Sequence, residues 1–245
     1  MLCGYIRGAD GRPPAPLYLP IETHPNYIIS GSSGSGKSYG VLYLIGNLLQ
    51  SAPNTIMYIC DFKNSQDLEF LKGYPYYFSG NDSYEGIRQY YHKFCDARIQ
   101  GRSRTRYILV IEEYPALISY MSTFDKQNKT KKAGDILSAV SEILMLGRGL
   151  SFGIWLVCQR PSAILFEGGA RDNAMVILNY GRMSKEQKSI LFSGEEISDR
   201  VYKPGEGVLL ADSHPIYDNY CTPRIRNLVD WKKNIKHELM KHCNR

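Results

Sequence analysis

The sequence predicts an α/β fold in which a mostly parallel central sheet is flanked by helices. Its 245 residues are enough for one such domain with at most a small appendage. A content of 43% hydrophobic and 22% charged residues is typical of a chain that buries a core. Short β-type runs alternate with helical stretches, as they do in parallel sheets. These observations exclude a disordered, collagen-like or low-complexity protein.

Five runs are predicted to be strands of this sheet, with helical stretches between several of them. They are Tyr27–Ser30, Thr55–Asp61, Tyr107–Glu112, Phe152–Cys158 and Met175–Tyr180. A sixth run, Gly207–Ala211, follows a Pro-Gly turn and is predicted to be an edge strand. Residues 1–25 are rich in Pro and Gly and are interpreted as an N-terminal arm or hairpin. The core domain is predicted over residues 26–212, and a basic helical tail over residues 213–245.

The tail is predicted to form an amphipathic helix. Four apolar residues fall on one stripe at helical spacing, and lysines largely surround them. They are Leu228, Trp231, Ile235 and Leu239. We expect this stripe to pack on the core domain. His237, His242 and Cys243 cluster near the end of the tail, where a solvated helix tip is favoured over a metal site.

Charge and cysteine content limit the class of protein without deciding its function. Thirty Lys and Arg against 24 Asp and Glu give a net charge of +6, which permits a polyanionic partner but does not require one. No apolar run reaches the roughly 18 residues that a membrane helix needs, and the N-terminus has no apolar signal-peptide core. The six cysteines include no CxxC pair, which indicates reduced thiols and a cytoplasmic protein.

The most specific motif is a phosphate loop that fits G-x-x-x-x-G-K-[ST] at every fixed position. A predicted strand precedes it and a helical stretch follows it, which is the context that the motif needs. Glycines let the backbone N–H groups point at phosphate oxygens, and the dipole of the following helix favours negative charge. We expect Lys37 to reach the β- and γ-phosphates of ATP, and Ser38 to bind Mg²⁺. The predicted nucleotide-binding residues are Gly31, Ser32, Ser33, Gly34, Ser35, Gly36, Lys37 and Ser38.

Two carboxylates end the third predicted strand. At the carboxyl edge of a parallel sheet such residues face the ligand crevice. By position, Glu112 is the predicted Mg²⁺ partner, and Glu113 is the predicted catalytic base that orients and polarises the attacking water. Most proteins of this kind have Asp at the first place, and Glu112 is one methylene longer. The alternative is a strand that ends at a polar surface.

Gln159 lies at the tip of the predicted strand Phe152–Cys158. A glutamine beside the phosphate loop can sense the γ-phosphate through a hydrogen bond. Capping of a turn is the alternative role for this residue.

Several segments together resemble the motor domain of the FtsK/SpoIIIE branch of the FtsK–HerA translocases, which are RecA-like P-loop ATPases. Asp61-Phe62-Lys63 is similar to the family's D-P-K segment, and Ile111–Tyr114 to its D-E-F strand end. Gly147–Ile154, followed by Cys158–Ser162, is similar to its G-R-x-x-G-I…T-Q-R-P-S stretch. Gly205–Leu210 matches its late G-x-G-x-x-L strand. The resemblance runs from the arm to about residue 211.

This resemblance implies ATP-driven movement of double-stranded DNA by a ring, usually a hexamer. It also implies nucleotide sites between subunits, each completed by an arginine from a neighbour. The chain has no membrane segment, no room for the family's long linker and no clear winged-helix module. It therefore looks more like the motor of a mobile element or virus, with conjugative transfer, plasmid replication and genome packaging open, and with a membrane or capsid partner open as well.

Two groups of basic residues are candidates for the roles that the resemblance implies. Arg148, in a Gly-Arg-Gly turn, is the predicted arginine in trans, and Arg171 is the alternative. Lysines in a polar, poorly periodic segment are candidates for DNA phosphate contacts at the pore of a ring, and a solvated surface loop is the alternative. They are Lys126, Lys129, Lys131 and Lys132.

Two other functions stay open at this point. The first is a nucleotide-binding switch or assembly factor with little hydrolysis. The second is a nucleotide kinase, which is disfavoured because the sequence has no arginine-rich lid segment.

Overall fold

One ten-stranded sheet organises the computed structural model, which describes residues 1–8, 12–162, 165, 171–198 and 200–241. The strand order is β2-β1-β10-β9-β8-β3-β7-β6-β4-β5. The strands are β1 Leu2–Ile6, β2 Ala15–Tyr18, β3 Tyr27–Gly31, β4 Thr55–Asp61, β5 Tyr77–Ser79, β6 Arg106–Glu112, β7 Phe152–Cys158, β8 Val176–Tyr180, β9 Glu206–Ala211 and β10 Tyr217–Cys221.

Helices cover both faces of this sheet. They are α1 Lys37–Ser51, α2 Ser83–Gln100, α3 Tyr114–Asn128, α4 Lys132–Leu146, α5 Lys185–Leu191 and α6 Leu228–Lys241. Successive residues of a strand point to opposite faces of the sheet, so the central strands contribute side chains to two buried clusters. In β6, Ile108 and Val110 join the cluster with α1 and α6, whereas Leu109 and Ile111 join the cluster with α2, α3 and α4. Burial on both faces explains why the central strands are continuous apolar runs.

Six adjacent strands, from β8 through β3, β7, β6 and β4 to β5, run parallel to one another. Their carboxyl ends therefore meet at one edge of the sheet, where the residues that follow β3, β4, β6 and β7 lie near one another. The predicted α/β fold with a mostly parallel sheet is confirmed. None of the described helices is long and apolar enough to cross a membrane.

The strands outside the parallel part differ from the prediction. The predicted edge strand, β9, is an internal strand, because it pairs antiparallel with β8 on one side and with β10 on the other. Strand β10 was not predicted, and it also pairs with β1, where Tyr5 lies opposite Cys221. Both chain ends thus add strands to the central sheet, and the division at residues 26 and 212 stays a prediction.

Helix α6 packs on α1 through the apolar stripe identified in the sequence. Ile235 and Leu239 are buried. The indole Nε1 of Trp231 donates a hydrogen bond to the Leu42 carbonyl oxygen (3.0 Å), and the indole ring stacks on Tyr43 with a centroid separation of 6.1 Å. His242 and Cys243, raised with His237 in the sequence analysis, lie outside the described residues.

Candidate nucleotide site

The phosphate loop connects β3 to α1 at the carboxyl edge of the sheet. Gly34 and Gly36 have φ of +78° and +91°, a conformation that residues with a Cβ rarely adopt. A Cβ on Gly36 would also lie 2.5 Å from the backbone nitrogen of Gly205. Gly36 is the N-cap of α1, and no side chain caps the helix. The N-terminal N–H groups of α1 are therefore available to an anion.

Lys37 places a buried ammonium between the phosphate loop and the acidic end of β6. Its Nζ lies 4.0 Å from Glu112 Oε1 and 3.9 Å from Glu113 Oε2. All three side chains are less than a tenth exposed. These separations are longer than hydrogen bonds, so the attraction is electrostatic. Because low-dielectric surroundings strengthen it, each charge strongly influences the other two.

Glu113 is held in an unusual backbone conformation directly before α3. Its φ is +60°, in the left-handed region that costs energy for a residue with a Cβ. Its Oε1 accepts a hydrogen bond from the backbone N–H of Gln159 (3.1 Å), and Lys63 Nζ lies 2.9 Å from its Oε2. The structure thus brings Lys37, Glu113 and Gln159 together, as the positions of their strands require.

Glu112 is almost fully buried. Burial raises the pKa of this carboxyl to about 7, while the Lys37 charge lowers the pKa and the charge of Glu113 raises it further. Its Oε2 is buried and has no hydrogen-bond partner among the described residues. A buried carboxylate oxygen without a donor is the kind of ligand that a hard cation such as Mg²⁺ takes. Ser38 directly follows Lys37 and lies in the first turn of α1.

Lys63 is a site residue to which the sequence analysis assigned no role. It follows β4, where the buried Asp61 Oδ2 accepts hydrogen bonds from Ser65 N–H (2.8 Å) and the Tyr77 hydroxyl (2.9 Å). Asn64 closes this turn with a φ of +55°. The turn presents Lys63 to Glu113. The sequence signal for Lys63 is the Asp61-Phe62-Lys63 segment, which forms part of the family resemblance.

Arg148 lies at the opposite end of the sheet. It belongs to a 3-10 helix, Gly147–Leu150, that precedes β7, whereas Gln159 follows β7. Seven strand residues at roughly 3.3 Å each separate the two ends by about 23 Å. Arg148 is exposed. Arg171 instead contacts its own chain, donating to the Leu191 carbonyl oxygen at 2.8 Å and lying 3.0 Å from Asp172.

The candidate DNA-binding lysines lie at the tip of a helical hairpin, and their role in DNA binding stays a prediction. Lys126 is in the last turns of α3, Lys129 and Lys131 lie between the helices, and Lys132 begins α4. The carboxylate of Asp125 accepts hydrogen bonds from the backbone N–H groups of Lys132 (2.9 Å) and Ala133 (2.8 Å), which closes the hairpin. The first three lysines are exposed, whereas Lys132 Nζ lies 4.4 Å above the Phe124 ring.

Comparison with known families identifies the domain type. The model of the FtsK/SpoIIIE family matches residues 6–119, which include the phosphate loop and the acidic end of β6. The chain contains an FtsK/SpoIIIE-type domain. It is 22% identical over 233 residues to the FtsK domain-containing protein YdcQ of Bacillus subtilis (strain 168), a match that covers 88% of this chain and 46% of YdcQ. The resemblance inferred from the motifs is confirmed.

Solved structures share the fold of this FtsK/SpoIIIE-type domain. EssC (ATPases 2 and 3) from Geobacillus thermodenitrificans superposes with a TM-score of 0.74 at 15% identity, over 99% of this chain and 48% of EssC. The pCW3 conjugation coupling protein TcpA, a monomer form with ATPγS, superposes with a TM-score of 0.73 at 18% identity, over 97% of this chain and 69% of TcpA. The chain spans about half the length of YdcQ and of EssC.

The raised pKa of Glu112 predicts how the stability of the nucleotide-free domain depends on pH. The folded state holds this proton to a pKa of about 7, whereas the unfolded carboxyl releases it near its ordinary value of 4.5. Folding stability should therefore fall as the pH rises between these values, by about 3 kcal/mol from this group. Urea unfolding at pH 5 and pH 8 should show a smaller decrease for Glu112→Gln than for the unmodified domain. The exposed Glu196→Gln control should keep the full decrease, and equal decreases in all three would refute the assignment.

Proposed function

We propose that this chain is an ATP-driven motor that moves double-stranded DNA, in the manner of the FtsK family, and that it serves a mobile element or a virus. The observation that carries the proposal is the meeting of Lys37, Glu112 and Glu113 directly beside a formed phosphate loop. A loop that only binds nucleotide does not need a second, strained carboxylate at this edge. The FtsK/SpoIIIE match over residues 6–119 supports the choice of motor type.

The buried charges suggest how these residues bind and hydrolyse ATP. Phosphate oxygens entering the loop attract the Lys37 ammonium, which has no short contact with either carboxylate. Ser38 and Glu112 would hold Mg²⁺, which neutralises charge on the β- and γ-phosphates when it is bound. Glu113 polarises the attacking water as general base, and the Gln159 side chain reaches the γ-phosphate. The Lys63 ammonium restrains Glu113 in the nucleotide-free state, so this contact has to loosen before the carboxylate can accept a proton.

Arg148 supports a site shared between subunits. At about 23 Å from the carboxyl edge, it is too far from its own phosphate loop to contact a nucleotide there. Two large apolar side chains beside it are unusually exposed, Met145 at 48% and Leu146 at 46%. An exposed apolar patch around an arginine is typical of an interface. We propose that this surface meets a neighbouring copy in a ring, for which a hexamer is the expected size.

The helical hairpin gives a physical route from ATP to DNA. Helix α3 begins directly after Glu113 and ends about 22 Å away, next to the lysine tip, which is the group of four lysines at the end of the hairpin. A change at Glu113 that tilts the start of α3 is therefore carried to Lys126, Lys129 and Lys131 by a rigid helix. Exposed lysines bind DNA phosphates without reading the sequence, as a translocase requires.

A structural neighbour bears on the biological setting of the motor. One structural neighbour, TcpA, is described as a conjugation coupling protein, which favours DNA transfer by a mobile element. We propose that the motor acts in the cytoplasm, with a membrane or capsid partner left open. The competing function is a nucleotide-binding switch with little hydrolysis. It is favoured by the Glu at position 112 and by the contact of Lys63 with Glu113.

ATP turnover measured with and without duplex DNA tests the proposed function. We expect DNA to stimulate turnover, and light scattering should show a ring under the same conditions.

Glu113→Gln should still bind ATP but lose nearly all hydrolysis, because an amide keeps the shape of the side chain without polarising water. Lys37→Ala should lose ATP binding with the fold retained. Turnover that ignores DNA in assembled protein would favour the switch, and loss of hydrolysis in Glu112→Gln but not in Glu113→Gln would reverse the two roles.

The lysine tip should determine the salt dependence of DNA binding. Replacing Lys126, Lys129, Lys131 and Lys132 together by Ala should weaken duplex binding equally for all sequences. The slope of log affinity against log salt should also become flatter by a few units, since fewer counterions are released. Binding titrations at several salt concentrations measure both quantities. The matched control replaces Lys232 and Lys233 of α6 by Ala, and an unchanged slope in the four-lysine variant would remove the tip from the DNA interface.

Mixed oligomers test whether Arg148 acts in trans. Arg148→Ala subunits bind ATP through their own loops but leave a neighbour's site incomplete, whereas Lys37→Ala subunits offer Arg148 but bind no ATP. Mixing the two inactive variants should restore part of the turnover in a manner that depends on their ratio. Arg171→Ala is the control. Because the Arg171 guanidinium contacts its own chain, mixing Arg171→Ala subunits with Lys37→Ala subunits should not restore turnover. Failure of recovery in verified mixed oligomers would exclude Arg148.

A further inference from the structure

A cleft of about 520 Å³ opens at the amino edge of the sheet, and the steps described above do not use it. The end of α1 forms one side of this cleft, and the segment between α2 and β6 forms the other. Helix α1 runs from the phosphate loop to the cleft, so the two sites are about 22 Å apart. The volume is within the range of small-ligand sites, which is roughly 300–1,000 Å³. We call it the arginine cleft, and its polar lining includes Glu22, Ser51, Arg102, Arg104, Arg106 and Ser151.

The arginine cleft has an excess of positive charge. Three arginines line it, whereas Glu22 supplies the one carboxylate among its described lining residues. That carboxylate is taken by Arg106, whose Nη2 lies 2.9 Å from Glu22 Oε1 and whose side chain is only 18% exposed. Arg102 and Arg104 are exposed and form no ion pair within the described part of the chain. Their two charges are therefore left for a ligand.

Most N–H groups of these guanidiniums have no acceptor in the described residues. A guanidinium carries five N–H donors in a planar fork. Arg102 uses its Nε, which donates to the Ser151 hydroxyl oxygen (3.1 Å) and holds the guanidinium on the wall of the cleft. Arg106 uses its Nη2 on Glu22, and Arg104 uses none. Forks of free N–H groups match the oxygens of phosphate groups, which they bind in pairs.

The end of α1 does not oppose an anion in the cleft as strongly as a bare helix end would. The last carbonyl oxygens of a helix carry partial negative charge, which repels anions. Here the Ser51 hydroxyl donates to the carbonyl oxygens of Asn47 (2.9 Å) and Leu48 (3.2 Å). The Thr55 hydroxyl donates to the Ala52 carbonyl oxygen (2.8 Å). These bonds reduce the negative potential on that side, so the arginines dominate.

We propose that the arginine cleft binds phosphate groups of a polyanion, which is either the backbone of DNA or a free chain of phosphates. Arg102 and Arg104 contact the phosphate oxygens, whereas Arg106, neutralised by Glu22, fixes the wall. Because α1 separates the cleft from the phosphate loop, this site is distinct from the nucleotide site. The proposal does not depend on ATP hydrolysis.

Calorimetry with sodium tripolyphosphate tests the cleft, using the full chain with Lys37→Ala so that the phosphate loop does not contribute. Adding Arg102→Gln and Arg104→Gln together should weaken tripolyphosphate binding about tenfold or more, because charge-assisted hydrogen bonds are lost. Both side chains are exposed, so the fold should be retained. The matched control is Arg88→Gln with Arg226→Gln, which removes two exposed charges near the start of α2 and before α6 and should change nothing.

Binding of a short DNA duplex to the same double variants, with Lys37 intact, identifies the source of the phosphates. Weaker duplex binding with a flatter salt slope in the Arg102→Gln, Arg104→Gln chain would support the cleft and assign it to the DNA backbone. Unchanged duplex binding with weakened tripolyphosphate binding would support it as a site for a free chain of phosphates.

Three results would overturn the proposal. The first is unchanged affinity for both ligands in the cleft variant, and the second is an equal loss in the control, which would show that only total charge matters. The third is loss of assembly in light scattering without loss of either ligand, which would assign Arg102 and Arg104 to the contact between subunits. ATP turnover without DNA should be unchanged in the cleft variant, so failure here leaves the proposed ATPase function standing.

Discussion

One buried ammonium between two buried carboxylates is the interaction on which the rest of the site depends. Lys37 cannot neutralise both Glu112 and Glu113, and an unpaired buried charge is costly. The domain relieves the imbalance in two ways: Lys63 approaches Glu113 from the surface, and the pKa of Glu112 rises to about 7. Both the contact of Lys63 with Glu113 and the protonation of Glu112 are reversible. A site balanced in this way is suited to take a polyanion together with a divalent cation.

The parallel sheet makes this charge cluster predictable from the sequence. Buried parallel strands are continuous apolar runs, and each one ends where the first polar residues appear. That pattern predicted β4 and β7 with the bounds observed, and β3, β6 and β8 to within one residue. Because parallel strands share one carboxyl edge, the residues after β3, β6 and β7 had to meet. The sequence therefore predicts that the phosphate loop, Glu112, Glu113 and Gln159 share one edge of the sheet, and in the structure they do, while their roles stay predictions.

The features that the sequence did not predict depend on pairing between distant segments or on local capping. Strand β10 is short and mostly polar, and only its pairing with β1 and β9 shows that it is a strand. The same pairing makes β9 internal. The helical hairpin is not evident from the sequence, because the last turns of α3 lack apolar periodicity and the Asp125 carboxylate that closes the hairpin accepts hydrogen bonds from residues seven and eight positions later. The contact of Lys63 with Glu113 depends on the register of β4 against β6, which no single segment reveals.

The antiparallel strands β9, β10 and β1 make the N-terminal arm a part of the central sheet. In the sequence it is a Pro- and Gly-rich lead-in, and the phosphate loop appears complete without it. In the fold, β1 pairs with β10, β10 pairs with β9, and the residues before β9 hydrogen-bond to Ser35. Arg7 is locked against Glu206 at the end of that chain of contacts. Glu206 is almost fully buried, and Arg7 is its shortest charged contact, since Arg200 lies 3.9 Å away, so the cost of losing the Arg7 contact couples the position of the arm to the wall of the phosphate loop. The arm and the loop therefore belong to one structural unit, although about 25 residues separate them in the sequence.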